Sequence, residues 1–116
     1  MSYIFEVGDT TVWSPALQVG DLYVRMAKSL GDWARTDTGL SAMARDYYRI
    51  EVDRFAHFVR DLLTGPASQH TLFQDMTEGF IAISLAMLDR AGAPMADPEA
   101  LALAGHVATA AASMPD

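Results

Sequence analysis

Residues Phe80 to Leu88 are apolar apart from Ser84, a run of nine positions. A bilayer needs about 20 such residues in a helix, so this run is too short to span one. It must instead be covered by the rest of the chain. Leu72, Phe73, Met76, Phe80, Ile83 and Met87 recur at helical spacing around it, and Ile81 and Leu88 widen the stripe. This predicts a central helix, capped by Ser68, running to about Ala91 and ended by Gly92-Ala93-Pro94.

The N-terminus has a different period. Tyr3 to Val7 and Thr10 to Trp13 are rich in β-branched and aromatic residues and flank Gly8-Asp9, a two-residue link that suits a hairpin turn. Ser14-Pro15 reads as an N-cap followed by proline at the first helical position. The helix after it carries Val19, Leu22, Tyr23, Met26, Leu30 and Trp33 as its apolar stripe and ends near Ala34 or Arg35. Residues 41–52 are ambiguous. Met43 and Tyr47 suit a helix, but Tyr48, Ile50 and Val52 alternate with Arg49 and Glu51, which favours a strand over 46–52. Asp53 then reads as the cap of a helix with Phe55, Phe58, Val59, Leu62 and Leu63 on its apolar side, stopped by Thr64-Gly65-Pro66. Asp97-Pro98-Glu99 opens a last, alanine-rich helix whose small side chains allow another helix to come close, from this chain or from a second copy, so a homodimer is one expectation.

The fold class that follows is α+β and predominantly helical. About four helices accompany a small antiparallel sheet, made of the N-terminal hairpin and a third strand, in one compact domain over 1–116. With 51% apolar and 20% charged residues, the chain can bury a core without a metal or disulfide staple.

The run from Phe5 to Pro15, together with Leu72, Thr77-Glu78-Gly79-Phe80 and the segment Leu88 to Pro94, resembles a family of small actinomycete proteins of unknown function. The resemblance extends over most of the chain. It implies a bacterial origin and carries no catalytic or binding residue with it. Seven arginines against one lysine agree with a GC-rich genome.

Several chemistries are excluded or disfavoured. The absence of cysteine removes disulfides, thiolate metal sites and thiol nucleophiles, and fits a reducing cytoplasm. The N-terminal residues lack the basic and apolar regions of a secretory signal. A net charge of −7 argues against nucleic acid or an anionic membrane as partner. The phosphate-binding glycine loops, the zinc-protease helix motif and the serine-hydrolase elbow are all missing, so no cofactor is expected. His57, His70 and His106 are scattered; His57 and Asp61 share a helical face, but two ligands make no metal site.

Two functional readings remain. In the first, the chain is a small acidic cytoplasmic protein–protein binding module of accessory, regulatory or immunity type. It would present Asp75, Glu78, Asp89, Asp97 and Glu99 to a partner with a basic surface. In the second, it is a cofactor-independent enzyme or a carrier for an apolar metabolite, of cyclase or isomerase type. Trp13, Tyr23, Trp33 and Tyr48 would line its pocket and Glu78 would be the acid or base. Glu78 next to Gly79, inside an apolar helix, serves either a cavity or merely the polar edge that it shares with Thr71, Gln74 and Asp75.

Overall fold

The computed structural model describes residues 2–65 and 70–114. The hairpin is present: β1 (Ile4–Val7) and β2 (Thr10–Trp13) pair antiparallel across Gly8, whose φ of 57° is the left-handed conformation that such a turn requires. The register shifts between Phe5 and Glu6, leaving Val12 as an extra residue on β2. That bulge breaks the two-residue alternation and lets the adjacent Val12 and Trp13 both face the core.

The sheet is larger than the sequence predicts, and it is mixed. It has four strands in the order β2-β1-β4-β3, with β3 at Leu40–Ala44 and β4 at Tyr47–Ile50. The strand expected over 46–52 is β4, but it pairs parallel to β1 and antiparallel to β3. A parallel pair needs a crossover, and the long helix α1 (Leu17–Ala34) supplies it. β3 escapes sequence analysis because Leu-Ser-Ala-Met-Ala has none of the β-branched or aromatic side chains that mark a strand.

Among the described residues there are five helices: α1, α2 (Val52–Thr64), α3 (Thr71–Arg90), α4 (Pro98–Leu101) and α5 (Ala104–Ala112). The expected last helix is therefore broken, with Leu103 at the break turned into a hollow beside Leu62 and Leu63 of α2. Two expected caps are not used. Ser14 Oγ instead donates to the Tyr3 carbonyl at 2.9 Å, pinning the chain beside β1, and α1 begins three residues later, at Leu17. Asp53 lies in the first turn of α2, because the Glu51 amide is held by the Gly39 carbonyl and the helix starts directly after it. Ser68 lies outside the described residues.

The core is strongly aromatic. Phe5 stacks on Trp13 with centroids 5.4 Å apart and meets Tyr23 edge-on, and Tyr23 stacks on Phe80 at 4.7 Å. Phe55, Phe58, Val59 and Leu62 of α2 are buried, as their spacing predicts. α3 is buried on almost all sides between Phe80 and Leu88 and is the central helix. The alanine-rich α5 packs along α3 within the same chain. Arg90 at the end of α3 donates to the carbonyls of Val12, Ala111 and Met114, tying β2 to the end of α5.

The apolar stripe expected to bury α1 is turned outward in part. The buried residues are Gly20, Tyr23, Ala27 and Gly31, whereas Val19, Leu22 and Trp33 are exposed. The early turns of α3 differ from expectation in the same way, since Leu72 and Met76 face solvent. Gly20 explains the rotation of α1: a Cβ there would collide with the ring of Tyr3, so this small-residue face is the one that lies against the sheet.

Candidate functional site

α1 and α3 run antiparallel, joined by rings rather than by close backbone approach. Trp33 stacks on Phe73 at 4.9 Å near one end, and Tyr23 meets Phe80 and Ser84 further along. The outward stripes of the two helices therefore adjoin. Leu22 and Trp33 are each 58% exposed, Leu72 74% and Met76 79%. Leu72, Met76, Gly79 and Ile83 follow one helical face of α3, and Val19 of α1 lines the same hollow as Gly79 and Ile83. Single exposed apolar residues are ordinary, but a run of them along two adjoining helices is a mark of recognition.

Asp75 is one helical step from this stripe, beside a hollow of about 290 Å³ between α3, α2 and the α4–α5 break. Leu62, Leu63, Phe73, Ile81 and Leu103 line its apolar walls, while Asp75, Glu78 and Glu99 supply carboxylates. Three of the five acids named from the sequence thus meet at one place. Asp97 is engaged elsewhere: Arg60 grips it with two donors, at 2.8 and 3.3 Å. The Arg60 guanidinium holds the Asp97 carboxyl below the usual carboxylate range. Asp89 is exposed near the other end of α3, beside Pro94, Met95 and Leu101.

The four aromatics named as pocket candidates do not converge on one cavity. Trp13 is buried against Phe5 and Tyr23. Tyr23 is buried, its hydroxyl 2.7 Å from Ser84 Oγ, and burial pushes its phenol well above the ordinary value. Trp33 lies on the exposed stripe, and Tyr48 stacks on Tyr3 and Phe5 beside a cleft along β3 and α1.

Glu78 is half-buried and has a partner that the sequence does not suggest. Its Oε1 lies 3.1 Å from His106 Nδ1 on α5. The two residues are far apart in the chain, and only the packing of α5 onto α3 brings them together. Asp61, the candidate helical partner of His57, instead accepts from Thr36 Oγ1 at 2.6 Å. Among the described residues no group of three acidic or histidine side chains is placed to hold a metal ion, and no helix is long and apolar enough to cross a membrane.

The chain belongs to the DUF6086 family, a family of unknown function, whose pattern it matches over residues 1–116. Comparison with curated proteins and with solved structures finds no match. The family carries no activity to this chain, so a functional reading must come from its surfaces.

Proposed function

We propose that this protein is a cytoplasmic protein–protein binding module whose docking surface is the outward apolar stripe of α1 and α3. The observation that carries the reading is the exposure of Leu22, Trp33, Leu72 and Met76 on adjoining helices. Tryptophan and methionine are enriched at interface centres, and tryptophan is a frequent hot spot. The occupant we favour is an amphipathic segment of another protein, apolar on one side and bordered by lysine or arginine. Asp75 flanks the stripe, Glu78 and Glu99 lie beyond it, and the chain carries a net charge of −7. Such a field steers a basic partner toward the stripe and opposes face-to-face association of two copies.

The test is site-specific crosslinking in the host cell from a photoreactive residue at Met76. The expected adduct is one foreign peptide of apolar and basic character. Leu22→Asp should suppress it, and adding salt should slow its formation. An adduct with a second copy of this chain, or one indifferent to Leu22→Asp, would show that the surface has another role.

A further inference from the structure

A second hollow, of about 400 Å³, lies between α3, α5 and the start of α1. That is within the range of small-molecule sites, which run to roughly 300–1,000 Å³ and combine apolar walls with few polar groups. Trp13, Val19, Ile83 and Met114 supply apolar surface here, and the Glu78–His106 pair supplies the polar side. Gly79 also lines it. A glycine inside a helix costs about 1 kcal/mol relative to alanine. Nothing in the chain asks for one at this position, because a Cβ on Gly79 would meet no atom within 4 Å. What the missing side chain does is keep the hollow open.

Apart from His106, the polar side chains on its α3 and α5 walls offer acceptors. The Glu78 carboxylate, 3.1 Å from His106 Nδ1, is an acceptor at the edge of the hollow. Thr109 spends its hydroxyl proton on the Gly105 carbonyl at 3.0 Å, and Ser113 directs its own at Thr109. Among the described residues no lysine or arginine lines the hollow, and the Glu78 carboxylate and the acidic chain would repel an anionic ligand.

We infer that this hollow binds a small neutral molecule with a flat apolar body and one hydroxyl donor. The body lies against Trp13, Val19 and Ile83, and the hydroxyl donates to the Glu78–His106 pair. This goes beyond the docking role: the hollow shares Val19, Gly79 and Ile83 with the outward stripe, whereas Leu22 and Met76 do not line it, so variants at those two positions separate the two readings.

The experiment is an amide-shift titration of the full chain with 2-naphthol, 2-methoxynaphthalene and 2-naphthoate at neutral pH. Naphthol should saturate, with its largest shifts at Gly79, Ala82 and Thr109. The ether, lacking a donor, and the carboxylate, lacking a counter-charge, should each bind at least about tenfold more weakly. Gly79→Leu should fill the hollow and abolish naphthol binding. His106→Leu should keep the fold and erase the preference of naphthol over its ether. Leu22→Asp should change none of this. Failure of naphthol to saturate, equal binding of the three probes, shifts centred on Leu22 and Trp33, or binding unaffected by Gly79→Leu would overturn the inference.

Discussion

Tyr23 and Ser84, separated by 61 positions in the chain, join hydroxyl to hydroxyl at 2.7 Å inside the core. Ser84 sends its own proton to the Phe80 carbonyl at 2.9 Å, so Tyr23 must be the donor between them. The two halves of the pair are therefore unequal. Ser84→Ala leaves a buried phenol with no acceptor and should cost about 1–3 kcal/mol. Tyr23→Phe removes the donor and leaves Ser84 still bonded to Phe80, so its cost should be nearer 0.5–1.5 kcal/mol. Urea denaturation of both variants checks the order.

The same phenol predicts an alkaline limit to stability. Burial holds Tyr23 protonated in the folded state beyond the ordinary value of 10.0. Its contribution is fully present below the unfolded phenol's pKa and is lost as pH rises through the folded one. Above pH 10, stability should fall by up to about 1.4 kcal/mol per pH unit from this group alone. Tyr3, raised first by burial and then by Asp21, acts in the same direction. Denaturation midpoints between pH 9 and 11 should fall less steeply in Tyr23→Phe than in the parent, and an unchanged slope would remove Tyr23 from the account.

Two glycines should respond oppositely to the same substitution. Gly79→Ala gains helix propensity and meets nothing, so it should stabilise by about 0.5–1 kcal/mol. Gly39→Ala should destabilise. Gly39 has a φ of 77°, and a Cβ there would lie 2.6 Å from the Phe55 amide nitrogen, where backbone rather than a pliable side chain must yield. Thermal melts of the two variants should move in opposite directions.

How far the sequence was legible follows from which signals are local. The hairpin, the α2 stripe and the central place of Phe80–Leu88 were readable because turn chemistry and helical spacing are written in neighbouring residues. The parallel pairing of β4 with β1 was not, since Tyr48 carries no local mark of being opposite Phe5. The stripe 19, 22, 23, 26, 30, 33 was a true amphipathic signal, but only Tyr23 is buried and Met26 and Leu30 pack partly on the core, because spacing alone cannot say how far an apolar face turns toward this chain's own core. Gly20 and Gly31 decided it by letting the other face approach Tyr3 and Thr38. Asp75, Glu78 and Glu99 line one hollow, but charge along the sequence did not separate them from Asp89 and Asp97, and the Glu78–His106 contact depends on the docking of α5 and has no sequence signal.

The outward residues should matter little to folding. Leu22→Ser and Met76→Ser remove exposed apolar surface, and each should change stability by no more than about 0.5 kcal/mol. Trp33→Ala is different, because it also removes the stack on Phe73 and should cost about 0.5–1.5 kcal/mol. A large loss in the first two variants would mean that the stripe is packed in solution.

Arg90 supplies the last prediction. Its guanidinium reaches the carbonyls of Val12, Ala111 and Met114 from one side chain, so the start of the chain and its described end are fastened to α3 by a single planar fork. α5 has no fully buried residue of its own to hold it in place. Arg90→Leu should therefore cost about 2 kcal/mol through lost charge-assisted bonds. It should also raise amide exchange in α5 well before the sheet opens. Arg90→Lys should rescue little of this. An ammonium keeps the charge but is a compact point without the fork, and cannot span carbonyls on both β2 and α5. If lysine restored full protection to α5, charge at the end of α3 rather than the forked geometry would be what secures the helix.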